Sequence, residues 1–436
     1  MNKEQLYTIY QKHAVICTDT RKITNSCLFF ALKGEHFDGN VFALQAIENG
    51  AAFAVIDNPQ YAIDERFILV ENVLESLQNL AAHHRKQLDI PLIGITGSNG
   101  KTTTKELIFS VLSQGFNTFA TEGNLNNHIG VPLSILSISS DCEIAIIEMG
   151  ANHQKEIEFL CRIAQPTHGL ITNIGKAHLD GFGGIEGVRI GKGELYQFIS
   201  ETEGTIFINA DDSVLKEMSL EKSLENKITY GKTEDSFICA ELLAAKPFLD
   251  IRWKAGNSDS AQQTHIAKSN LPGIYNFDNI LSAICIGYYF KLKPEQINSG
   301  ISAYQPLNNR SQILKTSYNT VICDYYNANP SSMKVALENL ESTPGASKVL
   351  ILGDMFELGA ESAYEHQSIF EKATNIVSDR QVFIGEEFYK LKNNKAEFYQ
   401  TVQDAYKNLS EKPLKNATIL IKGSRGMKLE TLLPLF

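Results

Sequence analysis

Short apolar runs alternate with amphipathic stretches along most of this chain. In its middle part, four runs have the length and the β-branched content of buried strands, at residues 92–96, 144–148, 169–174 and 205–209. After the first run, Leu107, Ile108, Val111 and Leu112 recur at helical spacing. Strands separated by helices in this way predict an α/β fold, with a mostly parallel central sheet covered by helices on both faces.

The alternation begins again near residue 306 and predicts a Rossmann-like α/β domain at the C-terminal end. Its expected strands are 320–324, 349–353, 382–385 and 418–422. Residues 1–86 alternate short strands and helices, end in a helical stretch at 74–86, and predict a small α/β N-terminal domain. Because 436 residues are too many for one compact core, the expected domains are 1–86, 87–305 and 306–436.

One segment of the central domain departs from the alternation. Residues 235–270 are more polar and irregular, above all at 256–264, and predict an antiparallel extension at the edge of the sheet. The helical pattern at 276–290 follows and closes the domain.

Composition narrows the class of protein. Hydrophobic residues make up 43% and charged residues 21% of the chain, which is typical of a soluble enzyme. No apolar run is long enough to span a membrane and the first residues do not resemble a signal peptide, so a cytoplasmic protein without membrane insertion is expected. The net charge of −10 and the absence of a basic stripe argue against nucleic acid as a partner. We expect a monomer.

The seven cysteines are scattered, and no two of them form a Cys-x-x-Cys pair. Several lie in apolar runs, as Cys285 does in Leu281-Ser-Ala-Ile-Cys-Ile286. We expect reduced, buried thiols, without a zinc site or a disulfide framework.

The strongest chemical signal is Ile95-Thr-Gly-Ser-Asn-Gly-Lys-Thr-Thr-Thr104, between an expected strand and an expected helix. A glycine loop in this position predicts a nucleotide phosphate site, because its backbone N–H groups and the helix N-terminus attract anions. Lys101 would reach the terminal phosphates and the Thr102 hydroxyl would bind Mg²⁺. The usual spacing of such loops places a glycine at position 95, where this chain has Ile95.

Several polar residues end or follow the expected strands, where ligands bind in open α/β sheets. These residues are Thr96, Glu148, Asp324 and Lys422, and they predict one cleft shared between domains. Glu148 is interpreted either as a magnesium ligand or as a solvent-facing strand end. His178 is interpreted either as a metal ligand or as a structural histidine, and Lys192 as a phosphate-binding or an ordinary surface lysine.

A second group of residues suits a nucleotide. Asn276 and Asn279 stand at the start of the helical pattern, where their amides fit either an adenine ring or helix capping. Arg310 is placed to reach a phosphate, and Asp324 to accept a hydrogen bond from a ribose hydroxyl.

Taken together, the motifs closely resemble the Mur ligases, the ATP-dependent amide ligases of peptidoglycan precursor synthesis. Residues 96–102 match the family's loop Thr-Gly-(Thr/Ser)-Asn-Gly-Lys-Thr, which has no glycine at position 95. Further matches extend over essentially the whole chain: Asp19-Thr-Arg21, Gly34-Glu-His-Phe-Asp-Gly39, Gly123-Asn-Leu-Asn-Asn127, Ile129-Gly-Val-Pro132, Glu148-Met-Gly-Ala-Asn-His153, Asp324-Tyr-Tyr-Asn-Ala-Asn-Pro330, Leu352-Gly-Asp-Met-Phe-Glu-Leu-Gly359 with His366, and Lys422-Gly-Ser-Arg425.

The resemblance implies an activity and its cofactors. The motifs are most similar to the branch that joins D-Ala-D-Ala to UDP-N-acetylmuramoyl-tripeptide through an acyl phosphate. ATP and two magnesium ions are implied, the first ion held by Thr102 and Glu148. The second would lie beside His178 and Lys192, which matches the family's carbamoylated lysine. Lys101, Lys192, His178 and Glu148 are thus the expected catalytic residues.

The resemblance also implies two binding sets. The ATP set is Gly97, Ser98, Asn99, Gly100, Lys101, Thr102, Thr103, Asn276, Asn279, Arg310 and Asp324. The substrate set is Thr20, Arg21, Phe37, Asp38, Asn124, Asn126, Asn127, Asn327 and Asn329, the first four in the region that resembles a nucleotide-sugar-binding domain.

Three positions depart from the family pattern. Thr20 replaces serine, Asn40 replaces a frequent histidine, and Tyr325 replaces a small residue near the expected D-Ala-D-Ala end. The rival functions are a ligase that adds a single amino acid to the muramoyl-dipeptide, a folylpolyglutamate-type ligase and, in a different class, a P-loop regulatory ATPase. Asn327-Ala-Asn-Pro330 and Gly353-Asp-Met-Phe-Glu-Leu-Gly359 argue against the first two.

Overall fold

A computed structural model describes residues 3–245, 247–256, 263–307, 309–343 and 347–436. Three main sheets follow one another along the chain, each built mostly from parallel strands with helices packed against it. The expected α/β class with three domains is confirmed.

The N-terminal domain is built on a four-stranded parallel sheet in the order β1-β2-β5-β6, with a separate antiparallel pair β3-β4. Its strands are β1 Ile16–Cys17, β2 Leu28–Phe30, β3 Lys33–Gly34, β4 Phe37–Asp38, β5 Phe53–Ile56 and β6 Phe67–Leu69. Its helices are α1 Lys3–Lys12, α2 Ala43–Glu48 and α3 Val73–Arg85, with 3₁₀ turns at Thr20–Lys22, Gly39–Phe42 and Pro59–Tyr61.

The central domain carries a nine-stranded sheet in the order β15-β14-β13-β12-β11-β10-β7-β9-β8. Its strands are β7 Leu92–Thr96, β8 Thr118–Ala120, β9 Ile144–Glu148, β10 His168–Ile171, β11 Thr205–Asn209, β12 Lys227–Gly231, β13 Ile238–Ala244, β14 Asp250–Ala255 and β15 His265–Lys268. Its helices are α4 Lys101–Leu112, α5 Gly130–Leu136, α6 Glu156–Ala164, α7 Leu179–Phe182, α8 Ile185–Glu201, α9 Ser213–Glu221, α10 Asn276–Tyr289 and α11 Pro294–Ala303. The pairs β13-β14 and β14-β15 are antiparallel and the others parallel.

Both faces of this sheet are covered, as the apolar runs predict. On β7, Leu92 packs into the core that contains α5, α6 and α8, whereas Ile93 and Ile95 pack against α4, α10 and α11. The antiparallel extension predicted for 235–270 is formed by β13, β14 and β15. Within its irregular part, residues 257–262 lie outside the described residues.

The C-terminal domain has a six-stranded sheet in the order β16-β17-β21-β18-β19-β20, in which only β16 is antiparallel. Its strands are β16 Gln312–Lys315, β17 Thr320–Asp324, β18 Lys348–Gly353, β19 Arg380–Ile384, β20 Glu397–Tyr399 and β21 Thr418–Lys422. Its helices are α12 Pro330–Ser342, α13 Ser362–Thr374, α14 Glu386–Tyr389 and α15 Val402–Glu411, with 3₁₀ turns at Gly359–Glu361, Arg425–Met427 and Leu429–Leu435.

One strand prediction was wrong at its end. The run predicted as a strand to residue 174 leaves the sheet after Ile171. Asn173 turns toward the glycine loop instead: its backbone carbonyl accepts from the N–H of Ser98 at 3.0 Å and its side chain from the N–H of Asn99 at 3.1 Å. These residues therefore support the loop rather than extend the ladder. The strand predicted at 382–385 is also shifted, to Arg380–Ile384.

Two predictions from composition concern the cysteines and membrane insertion. All seven cysteines are free and buried. Across the described residues, none of the helices combines the length and the apolar composition needed to cross a bilayer.

Candidate active site

A cavity of about 1080 Å³ opens between the central and C-terminal domains. The glycine loop, the ends of β9 and β10 and the start of α10 form one side. Arg310, Asp324, Lys422 and the start of α12 form the other. Of the strand-ending residues predicted to share one cleft, Glu148, Asp324 and Lys422 line the cavity, whereas Thr96 is fully buried and donates to the Met149 carbonyl at 2.8 Å.

The glycine loop has the conformation that its sequence predicts. Gly97 and Gly100 have φ angles of 138° and 80°, a region that side chains rarely adopt. A Cβ at Gly97 would collide with Thr172, and one at Gly100 would meet the Asn279 amide. Ile95 is fully buried within β7, before the chain turns, so this loop has no need of a glycine there.

Lys101 begins α4 and lies over its own loop. Its Nζ donates to the carbonyl oxygens of Gly97 at 2.6 Å and Ser98 at 3.3 Å. Burial lowers the pKa of this ammonium, and the charge of Glu148 partly opposes that shift. A cation with only carbonyl partners at a helix N-terminus is suited to exchange them for phosphate oxygens.

Glu148, at the end of β9, is buried and held from several directions. The Thr102 hydroxyl donates to its Oε2 at 2.8 Å, and the Asn126 amide donates to its Oε1 at 2.8 Å. The Thr121 hydroxyl accepts from the Glu148 backbone N–H at 3.0 Å. The interpretation as a solvent-facing strand end is wrong, because the side chain is only 1% exposed.

Asn276 and Asn279 line the cavity but do not cap α10. The N-terminal cap of this helix is Tyr275. The Asn279 amide donates to Asn276 Oδ1 at 2.9 Å, and Asn279 Oδ1 accepts from the Thr104 hydroxyl at 3.0 Å. Both amides are thereby fixed against α4 beside the loop.

Lys192 is a buried lysine beside the site. Its side chain is 1% exposed, its Nζ donates to the carbonyl of Ala151 at 3.1 Å, and it lies 4.9 Å from the Phe182 ring centroid. Burial lowers its pKa well below the usual value, and the charge of Lys101 adds to the shift. Lys192 is therefore not an ordinary surface lysine. It is not among the lining residues of the cavity, but Ala151 is.

His178 lines the cavity just before α7, and its Nδ1 contacts the Glu357 carboxylate of the C-terminal domain. The pairing lowers the pKa of the Glu357 carboxyl. The motif at 352–359 contains Glu357, but its spacing along the chain does not indicate a contact with His178, which lies 179 positions earlier.

The C-terminal wall is positively charged around Tyr326. The Arg310 guanidinium lies 3.8 Å and that of Arg425 lies 5.1 Å from the Tyr326 ring centroid. Asp324 accepts from Lys422 Nζ at 2.7 Å and from the Ser311 backbone N–H at 3.2 Å. Lys422 and Tyr326 are lining residues that the predicted binding sets omit, although Lys422 ends a strand.

Asn329 and Asn327 reach the cavity from the C-terminal domain. Asn329 caps α12 and donates to Asn99 Oδ1 at 2.8 Å, joining the two domains at the phosphate loop. The carbonyl of Asn327 accepts from Lys422 Nζ at 3.2 Å. Tyr325, in contrast, is 4% exposed and packs into the C-terminal core. Its side chain is therefore not among the lining residues of the cavity, whereas those of Tyr326 and Asn327 are.

Loop 122–127 supplies the remaining predicted residues of the central domain. Asn124, Asn126 and Asn127 all line the cavity. Asn127 accepts from the backbone N–H groups of Ile129 and Gly130 at 3.1 and 2.8 Å and so fixes the start of α5.

The predicted residues of the N-terminal domain are not lining residues of this cavity. Thr20 and Arg21 lie in a 3₁₀ turn, and Phe37 and Asp38 in the β3-β4 pair. Phe37 is 57% exposed. Asn40 is buried and structural, since its amide donates to Asp38 at 2.7 Å and to Asp57 at 2.8 Å.

The side chains of the cavity fit one magnesium ion but do not by themselves fit a second. Thr102 and Glu148 supply adjacent oxygen ligands, which Mg²⁺ prefers together with phosphate oxygens. Within the described ranges, no three His, Cys, Asp or Glu side chains gather as a metal site. A second ion would therefore need an anionic ligand besides His178, and a protonated Lys192 cannot supply one.

Family models match each of the three parts of the chain. Three family models match: the Mur ligase family catalytic domain at residues 13–85, the Mur ligase middle domain at 95–287, and the Mur ligase glutamate ligase domain at 309–425.

Curated relatives match over nearly the whole length. The UDP-N-acetylmuramoyl-tripeptide–D-alanyl-D-alanine ligases of Bacillus subtilis and Escherichia coli are 35% and 32% identical to this chain. Each alignment covers 95% of the chain, and 91% and 92% of the two relatives.

Solved structures match equally completely. MurF from Acinetobacter baumannii gives a TM-score of 0.87 at 29% identity, covering 99% of this chain and 98% of that one. MurF ligase from Thermotoga maritima in complex with ADP gives 0.84 at 26% identity, covering 97% and 96%.

Proposed function

This chain belongs to the Mur ligase family, and we propose that it joins D-Ala-D-Ala to UDP-N-acetylmuramoyl-tripeptide with hydrolysis of ATP. One observation carries the conclusion: relatives of that name align with 95% of the chain and with more than nine tenths of their own length. The chain is thus an ATP-dependent ligase of peptidoglycan precursor synthesis.

The chemistry requires charge neutralisation and alignment more than a nucleophilic side chain. The tripeptide carboxylate attacks the γ-phosphate of ATP, forming an acyl phosphate and releasing ADP. Since two anions approach one another, fixed positive charge lowers the barrier. Lys101 supplies it from the loop, and Arg310 from the opposite wall of the same cavity.

The second step forms the amide bond. The amine of D-Ala-D-Ala attacks the acyl carbon, and phosphate leaves through a tetrahedral intermediate. Water must be kept from the acyl phosphate, or the intermediate is hydrolysed. The hydrogen bond from Asn329 to Asn99 and the ion pair between Lys176 and Glu365 hold the C-terminal domain against the central domain, which supports a closed reacting state.

Thr102 and Glu148 are the proposed ligands of one magnesium ion, which would neutralise phosphate charge. Asn126 and Thr121 orient Glu148 for that role, since they hold its side chain and its backbone. Gly97, Ser98, Asn99, Gly100 and Thr103 are proposed to bind the phosphates, and Asn276, Asn279 and Asp324 the nucleoside.

Lys192 is proposed to act as a carbamate. Its neutral amine would form an N–C bond to carbon dioxide and release a proton. The resulting carbamate would be the anionic ligand that a second magnesium ion beside His178 requires. Burial supports this, because a lowered pKa increases the fraction of neutral, reactive amine. In protein equilibrated with ¹³C-bicarbonate, a carbamate ¹³C resonance that is lost in Lys192→Ala would support the proposal, and its absence from the unaltered protein would refute it.

Recognition of the UDP-sugar is proposed for the N-terminal domain, through Thr20, Arg21, Phe37 and Asp38. Asn124 and Asn127 are proposed to contact the peptide, and Asn327 and Asn329 the dipeptide. The proposed domain boundaries lie near residues 86 and 305. A cytoplasmic location is proposed because ATP and UDP-linked precursors are used there.

The test is phosphate release by the purified protein. We expect release only when ATP, UDP-N-acetylmuramoyl-tripeptide and D-Ala-D-Ala are all present. Both the diaminopimelate and the lysine tripeptide should be tried. Release that does not depend on the dipeptide would favour a regulatory ATPase, and release with a single amino acid in its place would favour a ligase that adds one residue.

A further inference from the structure

A loop that follows β9 forms one wall of the cavity. Residues 150–156 connect the end of β9 to α6, and most of them line the cavity. The Gly150 backbone N–H donates to the Asn126 carbonyl at 2.7 Å, and the Asn126 amide in turn donates to Glu148. This wall therefore lies beside the proposed position of the terminal phosphate, where the carboxylate to be activated must approach.

Helix α6, which follows this loop, does not cap its own first turn. Its N-terminal cap is Lys155, whose side chain accepts no hydrogen bond from the helix, since an ammonium group has no acceptor. The first N–H groups of a helix need acceptors, and Glu194 of α8 supplies them. Its Oε1 accepts from the Lys155 N–H at 2.6 Å and its Oε2 from the Glu158 N–H at 2.9 Å. One carboxylate thus fixes the turn at which the loop enters the helix.

The loop reaches α6 in a backbone conformation that needs this support. Lys155 has a φ angle of 72°, in the left-handed region that residues with a Cβ rarely adopt. The hydrogen bonds to Glu194 offset the free energy that this conformation costs. The Lys155 ammonium has a separate partner, because it pairs with the Glu158 carboxylate at 2.9 Å.

The buried carboxylate of Glu194 does more than a local cap would. Glu194 is 9% exposed, and both of its oxygens accept from backbone N–H groups. A serine or an aspartate at position 155 would cap α6 without any contribution from α8. A carboxylate from α8 also fixes the distance between that helix and the loop. The position of the cavity wall therefore depends on Glu194.

We propose that Glu194 is a positioning residue for the substrate that is activated: it holds loop 150–156 as the wall against which the peptide of UDP-N-acetylmuramoyl-tripeptide lies. This inference rests on the proposed function, because it takes the tripeptide as the ligand of this wall. The side-chain amides of Asn152 and Gln154, which line the cavity, suit peptide groups, since each offers a donor and an acceptor. The proposed ATP residues lie on other elements, so loss of Glu194 should weaken the tripeptide and spare ATP.

The experiment measures two affinities of the full-length protein by titration calorimetry. One is for a non-hydrolysable ATP analogue, and the other is for UDP-N-acetylmuramoyl-tripeptide in protein saturated with that analogue. Glu194→Gln replaces one of the two acceptor oxygens by an amide donor. We expect it to weaken tripeptide binding and raise the KM for the tripeptide by about 10-fold, with the affinity for the ATP analogue within about twofold of the unaltered protein. Glu158→Gln, which alters a carboxylate that contacts only side chains, should match the unaltered protein.

A second pair of variants separates positioning of the loop from general stability. In the Glu194→Gln protein, Lys155→Gly should restore most of the tripeptide affinity, because glycine adopts the left-handed conformation without support. Lys155→Ala removes the same ammonium but keeps a Cβ, so it should restore little.

The outcomes that overturn the proposal are distinguishable. If the unaltered protein binds the ATP analogue but not the tripeptide, the proposed function is wrong. If it binds both, only the role of Glu194 is wrong when Glu194→Gln keeps its tripeptide affinity, when it loses both affinities alike, or when Lys155→Gly restores no more than Lys155→Ala.

A variant that does not fold is also covered. Should Glu194→Gln fail to fold, Glu194→Asp gives the same test, because its shorter side chain cannot reach both N–H groups. Failure of both variants to fold would show that the carboxylate is required for the fold, and the positioning role would be rejected.

Discussion

His168 makes the stability of the central domain depend on pH. It lies at the start of β10 in an aromatic cluster, stacked 5.9 Å from the Phe207 ring, with Tyr289 and Phe290 at 5.5 and 5.3 Å. Burial there lowers the pKa of the imidazole from 6.5 to about 4. The folded protein therefore resists protonation that the unfolded chain accepts below about pH 6.5.

The direction and the size of the effect follow from this difference. Between about pH 6.5 and 4 the unfolded state binds more protons, so the free energy of unfolding falls as the pH falls. Well above pH 6.5 neither state is protonated and the contribution of His168 is complete. At about pH 5 the loss attributable to His168 is about 2 kcal/mol.

The test compares the unaltered protein with His168→Phe, which keeps an aromatic ring in the cluster. The Thr167 hydroxyl, which contacts His168 Nδ1 at 2.8 Å, also hydrogen-bonds to the Leu92 backbone and should keep those bonds in the variant. Urea unfolding is followed by the fluorescence of Trp253, the only tryptophan, which is buried in the same domain. Groups shared by both proteins cancel in the comparison.

Between about pH 7.5 and 5, the unaltered protein should lose about 2 kcal/mol more stability than His168→Phe. His128→Gln, at an exposed position of the same domain, should behave like the unaltered protein. Equal losses in the unaltered protein and in His168→Phe would refute the reasoning, because the imidazole would then titrate alike in the folded and unfolded states.

The other predictions concern the site. Lys101→Ala should lower kcat by about 10²-fold or more, since it removes the phosphate cation, and steady-state activity within a few-fold of the unaltered enzyme would contradict the loop assignment. Lys192→Ala should be inactive in the phosphate assay but regain part of its activity with a small carboxylate such as formate; a folded variant without any recovery would oppose the carbamate. Lys176→Ala and Glu365→Ala should be non-additive in kcat/KM, with a coupling of about 1 kcal/mol, and additive losses would show that the pair does not stabilise closure.

The sequence by itself determined the parts of this protein that depend on local backbone structure. The strand and the helix around Lys101 are predicted by apolar periodicity, and the loop between them by its glycines. Each of these signals lies within a short continuous segment of the chain. Three of the four residues predicted at strand ends, Glu148, Asp324 and Lys422, also line one cleft, because parallel strands bring their carboxyl ends to the same edge. The motifs identified the family for the same reason, since each is a continuous segment.

Only the tertiary structure decided how distant segments meet. The amide of Asn126 on Glu148, the carboxylate of Glu357 behind His178 and the buried position of Tyr325 each depend on packing between separate elements. Spacing along the chain carries no information about such distances. The tertiary structure also decided the character of Lys192, because the sequence does not show whether a lysine is buried, and burial together with the nearby charge of Lys101 lowers its pKa.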